Sequence, residues 1–188
     1  MTFQRLGIIL LLVVTGYAGW YLLQNYYQSA DVQVAPDGEK ALFSAEGIKS
    51  AVFSPDGKIS YDVTSSFLEY FAKIDETHFT KPVVMIYGDN GEPEWRIVSN
   101  AAILRGKQVL EMTGKVRIFN LLPQSTVDSI STESATLELK SHDFWSDDET
   151  TLVGKMALIR GQRMKGNYGN HTVELFDQVK GRYEVPEE

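Results

Sequence analysis

The sequence predicts an all-β outer domain behind a single apolar helix, and three observations carry that prediction. Apolar and polar residues alternate with period two in runs from Ile59 to Leu175. Gly, Pro, Asn and Asp cluster between those runs. One charge-free stretch near the N-terminus is far too long for a strand. The chain has 188 residues, 43% of them hydrophobic, which suits one domain with a real core and a short appendage. It has no cysteine, which removes disulfides, thiolate metal sites and cysteine nucleophiles together.

Residues 6–23 read LGIILLLVVTGYAGWYLL, without a charge. As a helix they measure about 27 Å, close to the ~30 Å hydrocarbon layer. Tyr17, Trp20, Tyr21, Tyr26 and Tyr27 gather at the C-terminal end, as in an interfacial aromatic belt. Gly16-Tyr17-Ala18 is a passable signal-peptide cleavage site, but the apolar run continues through 20–23, so an uncleaved transmembrane anchor is expected. Arg5 precedes the span and Asp31 is the first charge after it. The positive-inside rule then makes 1–5 a cytoplasmic tip and leaves the remainder outside the cytoplasm. Residues 24–45, polar and ending near Pro36-Asp37-Gly38, read as a tether.

The domain proper is expected over 46–188. Its strands are marked by Ile59-Ser60-Tyr61-Asp62-Val63, Val116-Arg117-Ile118, Leu137-Glu138-Leu139, Met156-Ala157-Leu158 and Val173-Glu174-Leu175. Its turns fall at Pro55-Asp56-Gly57-Lys58, Gly88-Asp89-Asn90-Gly91, Arg105-Gly106-Lys107 and Asp147-Asp148-Glu149. Residues 66–75 fit either period and are assigned to strand because they are short and aromatic-rich. A weak repeat pairs 100–104 with 110–118, 134–139 with 152–158, and 164–167 with 173–176 and 179–183. Each unit is a strand, a turn, and a second strand broken or followed by Gly, which predicts a bent, stacked sandwich or roll with open ends.

No reaction centre is visible. His78, His142 and His171 share no metal-ligand spacing, no cofactor is called for, and the sequence lacks phosphate-binding and nucleophile-elbow motifs. Acidic pairs fall in turns, so no catalytic residue is assigned. The net charge of −7 disfavours nucleic acid. Residues 31–188 carry 17 basic and 25 acidic side chains, so a broad positive field toward anionic headgroups is not expected either.

An anchor, a tether and an all-β domain of this kind resemble the LptC family, the bitopic inner-membrane component of lipopolysaccharide export. The resemblance rests on Tyr61-Asp62-Val63 with Glu69-Tyr70, His78-Phe79-Thr80-Lys81-Pro82-Val83-Val84 and Pro93-Glu94-Trp95-Arg96-Ile97. It continues through Asn120-Leu121-Leu122-Pro123-Gln124-Ser125 and Met164-Lys165-Gly166-Asn167. It implies a twisted β-jellyroll of two facing antiparallel sheets in the periplasm. It also implies a groove that takes lipopolysaccharide from an LptB/LptF/LptG transporter and passes it to LptA, without enzymatic activity. The rival reading is a bitopic scaffold that never touches lipid.

The inward, lipid-facing candidates are Ile48, Phe79, Val84, Ile86, Ile97, Val116, Ile118, Leu137, Leu139, Leu152, Met164, Val173 and Leu175. Alternation places them on one face, and the resemblance puts Ile48 and Phe79 near the entrance. An LptA-binding edge is expected at Val173, Val179, Tyr183 and Val185, on a final strand over 179–185. The transporter side is expected at Ile48, Val52, Phe53 and Gly154.

Overall fold

The computed structural model describes residues 40–183, and every element among them is a strand. In chain order these are β1 (Phe43–Phe53), β2 (Ile59–Phe71), β3 (Glu76–Thr80), β4 (Val83–Tyr87), β5 (Pro93–Val98), β6 (Ala101–Arg105) and β7 (Val109–Asn120). They continue as β8 (Val127–Glu138), β9 (Asp143–Ser146), β10 (Thr150–Gly154), β11 (Ala157–Gly161), β12 (Arg163–Asn167), β13 (Thr172–Phe176) and β14 (Lys180–Tyr183). The expected tip, transmembrane span and most of the tether lie outside the described residues, as does Val185. The first strand begins at Phe43, inside the range read as tether.

All pairings are antiparallel, and the long strands explain how one sheet becomes two layers. In β2, Phe67–Phe71 pair with β3 while Tyr61–Thr64 pair with β4. In β7, Val109–Thr113 pair with β6 while Arg117–Asn120 pair with β5. In β8, one end pairs with β9 and the other with β10. A first sheet therefore runs β1-β2-β3-β6-β7-β8-β9-β12-β13, and a second runs β1-β2-β4-β5-β7-β8-β10-β11-β14. Each long strand belongs to both. This is the expected pair of facing antiparallel sheets.

The repeat is longer than the hairpins suggested. Strands β1 to β6 run long, long, first sheet, second, second, first, and β7 to β12 do the same. Strands β13 and β14 are the two halves of one more long strand. They pair with β12 and β11 as β7 pairs with β6 and β5. Asp177 and Gln178 turn left-handed between them, with φ of 56° and 50°, as Gly114 and Lys115 do in β7 at 77° and 55°. Such corners bend a strand from one layer into the other.

Two expected strands are corrected. Residues 152–158 are not one strand broken by Gly; they are β10 and β11 joined by a tight turn, with Val153 opposite Leu158. A Cβ on Gly154 would lie 2.4 Å from the Thr126 carbonyl oxygen, so backbone proximity, not an unusual φ, demands glycine here. Residues 72–75 form the turn between β2 and β3, where Asp75 adopts φ 50°; only 66–71 are strand.

Where strands cross between layers, ladder bonds lapse and small hydroxyls take over. Ser65 Oγ lies 2.6 Å from the Phe67 carbonyl oxygen and 2.8 Å from that of Thr80, and Ser99 donates to Ala101. Thr132 and Ser146 hydroxyls meet at 2.9 Å, and Thr150 donates to Asp148. All five hydroxyl residues are buried, and no buried side-chain polar atom among the described residues lacks a partner. The FTKP motif, Phe79 to Pro82, forms one such crossing, with Lys81 at φ 50°.

Candidate functional site: the sheet interior, its latch and its open edges

The alternating residues meet between the sheets. Phe79, Val84, Ile86, Ile97, Val116, Ile118, Leu137, Leu152 and Met164 are buried in one cluster. Ile48, Leu139, Val173 and Leu175 pack half-buried against it. The structure thus brings every expected inward residue together. The interior they line is filled by their own side chains, with Val84, Val116 and Leu137 at 0% exposure. Phe79, expected near an entrance, is buried at 8%, whereas Ile48 sits on the outermost strand β1.

Open space lies at one side. A cavity of about 790 Å³ is bounded by the β1–β2 and β4–β5 turns on one hand and the β8–β9 and β12–β13 turns on the other. Its floor includes Tyr61, Ile86, Leu139 and Tyr168. Beside it the β12–β13 turn closes onto β5 and ties the two sheets together. Trp95 Nε1, on a ring 2% exposed, donates to the Tyr168 carbonyl oxygen at 3.1 Å. The Tyr168 hydroxyl donates to the Leu139 carbonyl oxygen at 3.2 Å, and its backbone N–H donates to His142. His171 stacks on the Trp95 ring with centroids 5.9 Å apart, and its Nε2 lies 3.4 Å from Glu94 Oε2. Asn167 braces the turn by donating to Ser141 and Asp143.

Burial, reinforced by Tyr61 and Asp143, pushes the Tyr168 hydroxyl far above the ordinary phenol range. Bonds from Asn167 and Ser141 hold the Asp143 carboxyl below its usual value. This latch was missed in the sequence. Trp95 and the MKGN residues were quoted as motifs, but nothing in their spacing brings β5 to a turn some seventy residues on.

The edges are the third feature. Strand β1 pairs only with β2, β13 only with β12, and β14 only with β11 among the described residues. Apolar side chains gather there. Phe43 and Phe53 are exposed on β1, and Phe176, Val179 and Tyr183 at the other edge, where Tyr183 is 71% exposed. Val173, Val179 and Tyr183 therefore share one edge, as expected. The proposed transporter-side set does not stay together. Ile48, Val52 and Phe53 lie on β1, whereas Gly154 ends β10, toward the opposite edge of the second sheet. Strand order separates them.

These features define a class: an antiparallel jellyroll whose layers share their long strands, with an apolar interior and unpartnered terminal edges. A solved structure of the same fold is LptH of Pseudomonas aeruginosa, the LptA-homologous periplasmic component of that organism's lipopolysaccharide transport device. It superposes with a TM-score of 0.55 at 9% identity, covering 66% of this chain and 95% of that one. The family model for "Lipopolysaccharide-assembly, LptC-related" matches residues 8–184, and the chain belongs to the LptC family. The lipopolysaccharide export system protein LptC of Escherichia coli K12 is 28% identical over 153 residues, 81% of this chain and 80% of that protein. LptC of Haemophilus influenzae is 28% identical over 199 aligned residues, 96% and 95% of the two chains.

Proposed function

We propose that this protein carries lipopolysaccharide from the inner toward the outer membrane, sheltering acyl chains between its two sheets. It is anchored by a single transmembrane helix over 6–23, with the jellyroll in the periplasm. It takes lipid from an LptB/LptF/LptG transporter at the β1 side and hands it to LptA at the β13/β14 edge. It carries no reaction of its own; ATP hydrolysis belongs to the transporter.

The observation that supports this reading is the continuity of the apolar interior from β1 to β13, ending at open edges on both sides. Acyl chains cannot cross water unaided. Burial contributes ~0.8 kcal/mol per methylene, so a chain of a dozen carbons gains on the order of 10 kcal/mol. The Trp95 hydrogen bond and a partly exposed His171–Glu94 pair together contribute only about 1–3 kcal/mol. A chain entering between the sheets therefore gains more than opening the latch costs, and the polar head remains in water. An exposed edge strand accepts a partner strand through main-chain bonds, which suits handover to a similar jellyroll.

The filled interior favours a second reading, a bitopic scaffold that binds proteins alone. In-cell photo-crosslinking separates the two. A photo-reactive residue at Phe79 captures lipopolysaccharide and one at Tyr183 captures LptA under the transport reading. Capture of LptA without any lipid at Phe79 supports the scaffold.

A further inference from the structure

The two outer faces of the sandwich carry opposite charge, which the net charge conceals. In antiparallel pairs, directly opposed residues share a face. On the second sheet, Ile97, Ile118, Ile130 and Leu152 point inward, so their strand neighbours point out. One outward row runs Ala51, Asp62, Met85, Arg96, Phe119, Ser129, Val153, Leu158, Arg182 across successive strands. The next runs Lys49, Thr64, Val83, Val98, Arg117, Ser131, Thr151, Arg160, Lys180. Lys49, Arg96, Arg117, Arg160, Lys180 and Arg182 are all exposed. None of them forms an ion pair among the described residues; Arg96 lies over the Phe119 ring at 5.8 Å. Two acids near this face are engaged elsewhere. Asp62 is buried and accepts from Tyr87, and Glu94 pairs with His171. The outer face of the first sheet instead carries Glu69, Glu76, Glu111, Glu138, Asp143 and Glu174 against Arg105 and Lys165 on the same outward rows, so it is net acidic.

We propose that the outer face of the second sheet docks on an anionic phospholipid surface, lying flat against the headgroups. These cations have no ionic partner among the described residues, and external anions would relieve their mutual repulsion. The cations sit on five strands spaced across the nine of this sheet, each ~4.8 Å from the next strand, which matches a layer of mobile anions more than one bound molecule. Interleaved Phe119, Val153 and Leu158 suit the headgroup boundary. The sequence supplies proximity. The apolar run ends at residue 23, and the twenty residues to β1 reach at most about 70 Å, so the domain stays within range of a bilayer. This docking goes beyond lipid carriage and stands or falls separately from it.

The test uses the full chain, which has no native cysteine, in vesicles with a headgroup-attached quencher. Single fluorophores are placed through Ser129→Cys on the second sheet and Thr136→Cys on the first. Each cation near an anionic surface adds on the order of 1 kcal/mol, so equimolar phosphatidylglycerol and phosphatidylcholine should raise quenching at position 129 about threefold or more over pure phosphatidylcholine. Position 136 should not respond. High salt and the pair Arg117→Glu with Arg160→Glu should abolish the response, and Arg117→Lys with Arg160→Lys should keep it. Equal quenching at 129 in both lipids overturns the proposal. So does a lipid-independent change at 129 that follows protein concentration, which would assign the face to the acidic side of a second copy.

Discussion

The two repeats share one register but not one filling. In the first, Ile86 faces Trp95 and Ile97 faces Ile118 inside the second sheet. The same slots in the second repeat follow from the pairing of Leu152 with Ile159 and of Ile159 with Gly181. They hold Gly154 for Ile86, Ala157 for Trp95 and Gly181 for Ile118. Large apolar side chains at the start of the sandwich become two glycines and an alanine toward its C-terminal edge. The first repeat is closed by its own residues and by the latch on Trp95. The second is shallow and ends at an uncovered strand. The shared strand pattern thus gives one half filled by large side chains and one lined by glycine and alanine beside its open edge.

Removing the largest plug tests the closed half most severely. Trp95→Ala should cost about 3–5 kcal/mol, because it deletes a fully buried indole and leaves the Tyr168 carbonyl without its donor; a fall in the denaturant midpoint checks this. Gly154→Ala should cost about 1–3 kcal/mol, since the methyl meets the Thr126 carbonyl oxygen on unyielding backbone. Gly181→Ala should go the other way and stabilise by about 0.4–1 kcal/mol. Its added Cβ meets only ordinary contacts, at 3.5 Å from Tyr183 and 3.8 Å from Ile159, and the unfolded chain loses freedom. A larger residue there, Gly181→Ile, should keep the fold and reduce lipid capture by filling the shallow half.

A smaller effect reports the latch through pH. The Tyr168 hydroxyl is raised above its ordinary value of 10.0 by burial. The unfolded chain therefore releases this proton first, and the stabilisation is intact below pH 10 and lost as pH rises above it. Tyr61, Tyr70 and Tyr87 are raised too, so Tyr168→Phe should lessen that alkaline slope, as read from denaturant midpoints across the range. A slope unchanged in the variant would assign it to another phenol.

Much of the fold was legible because alternation and turn residues are local signals. The turn at Arg105-Gly106-Lys107 joins β6 to β7 as its chemistry required, with Gly106 and Lys107 both left-handed. The inward set from Ile48 to Leu175 was legible for the same reason, since a period of two assigns faces without any knowledge of partners. What stayed hidden depends on strand order. The true repeat was obscured because a long strand and a split pair such as β13 and β14 look alike in sequence. The latch joins Trp95 to a distant turn, and the separation of Gly154 from β1 is visible only once the sheet is assembled. Charge was hidden differently. A net value averages the basic rows of one face with the more acidic rows of the other.

The central claim is that hydrocarbon travels between the sheets, and that the latch must open to admit it. The most direct measurement bridges Glu94→Cys and His171→Cys with a short bis-maleimide and reads lipopolysaccharide capture from a photo-reactive residue at Phe79. If the claim holds, capture falls about tenfold or more in the bridged protein against the same protein unbridged, equivalent to ~1.4 kcal/mol. Undiminished capture with the latch held shut would contradict it.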